Sequence, residues 1–484
     1  MCCGGWQFSG REKIWLLAGL CLVLAFGANL EQRTALRREP MTDLGVFSCA
    51  AWAVWSGDNL YRMTDWHGWH YNYPPAMAIL FGPLANPLPQ PLPALNPGER
   101  RSEANTPWGY GLPHQRFFGL HKENLRFFLI VAAWYFLSVG FCLFAAHAVA
   151  CVLEGRRISA PPPEDLKDRR RWWGLRLLPI VVCAGSIGTD LSRGQMELLM
   201  LAAIALAIYL AANAMDGKAG LILSFPGCVK LIPPVLLLYP FWSRRWRMGA
   251  GVVAGLVLFL AVIPVAVCGP GRTIELYRTW VRVVIQPGMG KGADTSRSGE
   301  LTGMNGTDNQ SLLAAIHNWS YHNVPRSKRP KDAAPVAHKV AYGIGALLLA
   351  VLLMSSRRSR GEASSMHMIL CITGFTAVWL AATPVAHNFY YLLMLPLVSA
   401  VLYKSGLFER SNPDWKLLGP VVAFMIVDFV ARLPSIGNWL RDCGAPLLSL
   451  LALLACGIYL LIRERRDEIT AVRIHQPAGL SAPI

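Results

Sequence analysis

Residues 219–241 read AGLILSFPGCVKLIPPVLLLYPF. The segment is apolar towards both ends and interrupted between them, where Pro226, Gly227, Lys230, Pro233 and Pro234 fall close together. Proline removes a backbone donor and clashes with the preceding turn, so a plain helix is not expected to survive that centre. Two topologies remain. The segment either crosses a membrane or turns back as a hairpin on the side it entered from. Short basic loops discriminate between them. They carry Arg156, Arg157, Arg169, Arg170 and Arg171, then Lys218, then Arg244, Arg245 and Arg247, then Arg357, Arg358 and Arg360, and finally Arg463, Arg465 and Arg466. With a crossing, the first two clusters face away from the rest. With a hairpin, every cluster lies on the cytoplasmic side, as the positive-inside rule expects. Irregular backbone at membrane depth is tolerated only where protein or a water-filled cavity covers it, so the hairpin implies a cavity near Lys230. Arms of about 16 Å, at ~1.5 Å per residue, bring Lys230 only to mid-membrane. It then meets an outer ligand only if the cavity is deep.

Outward from this segment, apolar runs long enough to cross a bilayer recur. They are 14–30, 127–152, 175–189, 196–213, 248–268, 338–354, 367–382, 389–403, 417–433 and 444–462. The expected fold class is an all-α integral membrane protein of about ten spans plus the broken hairpin. It reads as one membrane domain over 1–466 with a tail at 467–484, and the hairpin leaves both termini cytoplasmic. The first run, Ile14–Leu30, has no convincing small-x-small cleavage site after it and reads as an uncleaved signal anchor. Among the 484 residues 54% are hydrophobic and 15% charged, too little charge to cover a soluble domain of this length. The net charge of +17 does not argue for nucleic acid, because the basic residues sit in clusters between apolar runs, where they set topology and meet anionic lipid. The 12 cysteines show no metal spacing and imply no disulfide framework.

The long loops 31–126 and 269–337 fall outside the cytoplasm, and so do the turns at 189–195 and 383–388. The polar features therefore converge on one face. Within the first loop, DLGVFSCAAWAVWSG (43–57) places Leu44, Phe47, Ala51, Val54 and Trp55 on one helical face, as expected of a helix lying in the interface. PPAMAILFGPLA (74–85) is a second such candidate. The 86–125 segment is rich in Pro, Gly and Asn and reads as irregular, as does 269–337 after Gln286.

Several side chains on this face are candidates for chemistry, each with a plainer reading beside it. Asp43 precedes the interfacial helix. It is a helix-capping acid or a general base. Asp65, His70 and Tyr73 lie in DWHGWHYNYPP (65–75), where aromatic and polar groups either anchor the interface or bind a sugar. His67 and His70 stand three apart with no third ligand evident, so no metal is expected. Arg193, Gln195 and His387 sit in outer turns, where they contact lipid headgroups or hold a phosphate. Lys230 is an ionisable group at membrane depth, a functional candidate by default, or else a partner for freed carbonyls. Glu197 is a possible counter-ion for a nearby base.

Five segments give the chain its resemblance. They are Asp43-Leu44-x-Val46-Phe47 with Gly57-x-x-x-Tyr61; Tyr73-Pro74-Pro75 leading into Phe81-x-Pro83-Leu84; Arg193-Gly194-Gln195; Ala219-Gly220 through Lys230-x-x-Pro233; and Asn309-Gln310-Ser311-Leu312 with Thr383-Pro384-x-x-His387. In order and spacing the set resembles glycosyltransferase family 87, the polyprenol-phosphate-mannose-dependent enzymes of GT-C architecture. The resemblance implies inverting transfer of a hexose, usually mannose, from a polyprenyl-phosphate donor to a glycolipid or glycan hydroxyl outside the cell membrane. It implies Asp43 as base, Arg193, Lys230 and His387 at the donor phosphate, and Gln195, Tyr73, Asn309 and Gln310 at the substrates, to which the aromatic segment's own reading adds His70 and Asp65. The donor is a lipid, so no cofactor and no nucleotide motif are expected. The 86–125 segment is longer than the family pattern has, which leaves acceptor recognition open. Other lipid-linked-sugar transferases remain as alternatives. A transporter is the contender from another class, although it would be expected to show two related halves with paired broken helices.

Overall fold

The computed structural model describes residues 9–36, 42–63, 69–86, 122–230, 234–288, 301, 304, 308–357, 364–409 and 412–475. Among them the regular secondary structure is helical, and an isolated bridge joins Asn309 to His387. The expected irregular segment at 86–125 falls almost entirely outside the described residues, as does Asp65. Six helices are long and apolar enough to cross a membrane: α1 (Gly10–Arg33), the run Leu125–Glu154 within α4 (Lys122–Glu154), the run Trp246–Cys268, Pro335–Ser355, Ser365–Ala382 and Ala445–Asp467. The protein is membrane-embedded.

The span expected at 175–189 is two helices, α5 (Leu166–Val182) and α6 (Ala184–Arg193), bent by 64° at Cys183. With this bent pair counted as one span, the number rises from six to seven. The runs at 196–213, 389–403 and 417–433 appear as shorter elements: α7 (Glu197–Ala212), a 3-10 stretch followed by Leu395–Lys404, and Trp415–Val430.

The segment 219–241 departs from expectation at Pro226 and meets it at Lys230, where its first helix ends before another starts at Pro234. Helix α8 (Asp216–Lys230) runs straight through Pro226. A mid-helix proline costs roughly 3 kcal/mol in isolation, and here packing against both neighbours offsets it. On the following helical run (Trp246–Val257, the start of Trp246–Cys268) the glycines permit backbone contact with α8. A Cβ on Gly220 would lie 1.9 Å from the Met248 carbonyl oxygen, and one on Gly251 2.2 Å from that of Gly217. Small residues at such an interface are how helices approach closely where no hydrophobic drive separates protein from lipid.

The chain doubles back after Lys230. Short turns at Pro234–Leu237 and Tyr239–Trp242 return it to Arg245, whose guanidinium donates to Asp216 at 2.5 and 3.2 Å and to the Ala211 carbonyl at 2.8 Å. The two ends of the segment therefore meet, and Lys230 stands at its tip.

Helix α2 (Leu44–Ser56), which α3 (Pro75–Leu80) follows in the chain, also differs from the expected one-sided interfacial helix. Residues 44–51, Ala53 and Val54 are all buried, while Trp55, expected on the apolar face, is 57% exposed. The stretch LGVFSCAA has no polar face to give to water, so it packs all round.

Candidate active site

The site forms where α6 ends, α7 begins and α8 reaches its tip. Gly194 makes the junction possible. It adopts φ +65°, and a Cβ there would lie 2.9 Å from both Leu44 Cβ and Thr42 Oγ1. Residues 42–44 press onto this bare backbone. The Arg193 carbonyl accepts from the Asp43 amide at 2.8 Å and from the Thr42 hydroxyl at 3.0 Å. Asp43 is thus anchored at the start of α2, yet its side chain makes no capping bond to that helix. Its carboxylate accepts from Gln195 Nε2 instead.

Gln195 is the middle of a chain. Its Oε1 accepts from Lys230 Nζ at 2.8 Å, and its carbonyl accepts from the Trp134 indole at 3.2 Å. Lys230 also forms an ion pair with Glu197, which is fully buried. Asp190 accepts from the Glu197 amide at 3.2 Å. An ammonium donates only, so the Gln195 oxygen must face Lys230 and its NH2 must face Asp43. That orientation requires the acceptor form of the Asp43 oxygen it touches.

Aromatic rings enclose the lysine. Nζ lies 4.8 Å from the Tyr390 ring centre, 5.3 Å from Tyr73 and 5.4 Å from Phe389. Arg193 shares the Phe389 ring, at 5.5 Å. His387 stacks on Phe389 at 5.3 Å, and its buried Nδ1 has no hydrogen-bond partner. Burial first, then the positive charges of Arg193 and Lys230, push the His387 imidazole down to about 4, so it is neutral at pH 7.

Arg193 reaches outward to Asp308, Nη2 to Oδ2 at 2.7 Å, and Arg441 holds the other oxygen at 2.9 Å. Burial works to raise the Asp308 carboxyl, but the two guanidiniums prevail and hold it below its ordinary value.

The structure brings together Asp43, Arg193, Gln195, Lys230, Tyr73 and His387. Glu197 has the basic partner expected of it. His70, partly buried, stands three residues before Tyr73. Asn309 and Gln310 serve the neighbouring turn. Asn309 accepts from the Ala386 amide at 3.0 Å and donates to the Pro384 carbonyl at 3.0 Å, and the Gln310 amide donates to the Ala386 carbonyl at 2.7 Å. They hold the strand-like stretch that presents His387.

Sequence reasoning missed Asp308 and Arg441. A signal existed: Arg441 is a charged residue between the last two apolar runs, on the face where the other candidates gather. The model of glycosyltransferase family 87 matches residues 71–384, more than half of the chain. No curated protein matches it.

Proposed function

The chain belongs to glycosyltransferase family 87 and is a membrane glycosyltransferase, and on that premise we propose that it transfers a hexose, mannose by resemblance, from a polyprenyl-phosphate donor to a glycolipid or glycan hydroxyl with inversion. The observation that supports this most directly is the chain Asp43–Gln195–Lys230–Glu197 beside Arg193. It supplies a carboxylate held as an acceptor next to a partly exposed guanidinium.

In this reading the acceptor oxygen attacks the anomeric carbon while Asp43 takes its proton. The bond from that carbon to the phosphate oxygen breaks, and the bonding pair leaves with polyprenyl phosphate. Attack opposite the leaving group inverts the centre. Arg193 meets the charge that develops on the phosphate. Lys230, whose charge is matched by Glu197, orients Gln195. His387, neutral, offers Nδ1 to the sugar or phosphate. Tyr73 and His70 belong to the sugar-facing wall, with Asn309 and Gln310 positioning the opposite one, and Asp65 remains a substrate candidate from its sequence alone. The leaving charge is met by arginine, so the reading invokes no metal ion.

The returning segment at 216–245 fits a hairpin from the cytoplasmic side, with the site facing outward and both termini inside. The shorter helices at 197–212, 388–404 and 415–430 would then complete ten crossings of the cell membrane.

Asp43→Asn tests the reading. Purified protein is assayed with polyprenyl-phosphate-mannose against an extract of the source membrane lipids. The variant is expected to insert normally and to lose about 10²- to 10⁴-fold in transfer, the contribution of a general base. Unchanged transfer would remove Asp43 from the reaction.

A further inference from the structure

Three chain segments far apart in sequence converge on Asp308. Arg193 arrives from the end of α6, Asp308 from the stretch before Asn309, and Arg441 from the short helix Ile436–Asp442. The carboxylate spends one oxygen on each arginine. Arg193 keeps Nε and Nη1 without a hydrogen-bond partner among the described residues, and its side chain is 38% exposed. Arg441 gives Nη2 to Asn438 at 2.6 Å, which fixes the guanidinium in place, and its buried Nε has no hydrogen-bond partner among the described residues.

Most other cations around this trio have acidic partners, and the Asp43 carboxylate stands beside Arg193. Lys230 is paired with Glu197, and Arg432 with Asp428 at 2.8 Å. His387 is neutral. Arg326 and Arg329 share Asp442 on the far side of Arg441, at 2.5 and 3.1 Å. Two arginines and one aspartate leave the trio itself with a single net positive charge.

We propose that Arg193 and Arg441, bridged by Asp308, form a phosphate seat whose single net charge discriminates the phosphodiester donor from the phosphomonoester product. The inference rests on the donor class proposed above. A sugar-phosphoryl-polyprenol is a phosphodiester with one negative charge. The polyprenyl phosphate released from it is a monoester carrying about −1.5 to −2 at pH 7. A seat with two unopposed arginines would hold the more highly charged product harder than the substrate and slow turnover. Asp308 removes that excess, matching the seat to the donor and favouring release once transfer has doubled the charge. Its carboxylate also holds the two guanidiniums at a common site for the phosphate oxygens.

The test compares donor KM, kcat and the inhibition constant of added polyprenyl phosphate for the full chain in lipid nanodiscs. Asp308→Asn is expected to lower the product inhibition constant about tenfold while lowering donor KM much less, with kcat falling because release slows. Arg441→Gln is expected to raise both donor KM and the product constant about tenfold. Asp308→Glu keeps the charge and is expected to keep the wild-type ratio of the two constants, which separates charge from mere disturbance of the fold. Arg441→Lys guards the second arm, retaining charge without the planar fork and falling between wild type and Arg441→Gln. An unchanged ratio in Asp308→Asn, or weaker product binding there, overturns the proposal. So does Arg441→Gln with both constants unchanged. Failure of the donor reading looks different: wild-type protein would neither use the prenyl donor nor be inhibited by polyprenyl phosphate, and the seat would fall with it. A wild type that does both, alongside an inert Asp308→Asn ratio, refutes the seat alone.

Discussion

Two arginines of this protein bind carboxylates in opposite ways. Arg176, on α5, is 6% exposed and saturated. It donates to both oxygens of Glu154 at 3.2 and 2.9 Å, to His147 Nδ1 at 2.9 Å and to the Trp172 carbonyl at 2.8 Å, and its guanidinium lies 4.0 Å from the Trp172 ring centre. Nothing is left over for a ligand. Arg193 makes one carboxylate contact through one nitrogen and turns the rest of its fork outward. The first arrangement ties α4 to α5. The second leaves its donors open beside Asp43. A buried pair with every donor consumed is a fastening, whereas a half-used, half-exposed guanidinium is a place for an anion.

Breaking the fastening should have the largest effect, on stability alone. Glu154→Ala strands a buried guanidinium and is expected to cost about 3–5 kcal/mol. Thermal unfolding measures the loss, and turnover per folded molecule should stay at the wild-type level. A large drop in turnover per folded molecule would erase the contrast with Arg193.

Arg193→Gln should do the reverse. Removing a donor from a developing oxyanion costs about 10²- to 10³-fold in rate. Its ion pair is exposed enough, at 38% and 30%, to contribute less than about 1 kcal/mol to folding. The check is kcat/KM alongside the melting temperature of the same preparation. A variant that melts early but transfers normally would show Arg193 to be a second fastening.

Gln195 lies between these extremes. Gln195→Met removes one bond to Asp43 and one from Lys230, while the Lys230–Glu197 pair persists. The expected loss is about tenfold in kcat, the scale of one hydrogen bond to a charged group, with donor KM nearly unchanged. A rise in KM at constant kcat would instead make Gln195 a substrate ligand.

The difference between the two arginines also explains what the sequence could disclose. Asp43, Arg193, Gln195, Lys230 and His387 were legible because each sits at an apolar boundary where a polar group demands a reason, and because their order follows a family pattern. Glu197 was legible as a counter-ion by its place at the start of an apolar run. The Asp308–Arg441 pair was not, since it joins residues 133 positions apart and no local periodicity encodes that contact. The helix through Pro226 was misjudged for a related reason. Local propensity argued for a break, and tertiary packing against α7 and the glycine-lined run after Arg245 prevailed. The all-round burial of α2 was readable in principle, because LGVFSCAAWAV offers no polar face. The one-sided apolar stripe through Leu44, Phe47, Ala51, Val54 and Trp55 is only one set of apolar positions among many in this stretch.

The smallest effect concerns His387, which belongs to the open region yet is held as a fastening would be. Its imidazole titrates at about 4 in the folded chain against 6.5 as the ordinary value. Between those two pH values the unfolded chain binds a proton that the folded chain refuses. Stability therefore falls as pH drops through 6.5 towards 4, and above that window the group contributes no slope. His387→Asn should flatten that part of the stability profile while leaving the neutral-pH melting temperature close to wild type. The measurement is thermal unfolding at pH 7.5, 6 and 5 for both proteins. An undiminished slope in the variant would mean that other groups carry the acid sensitivity.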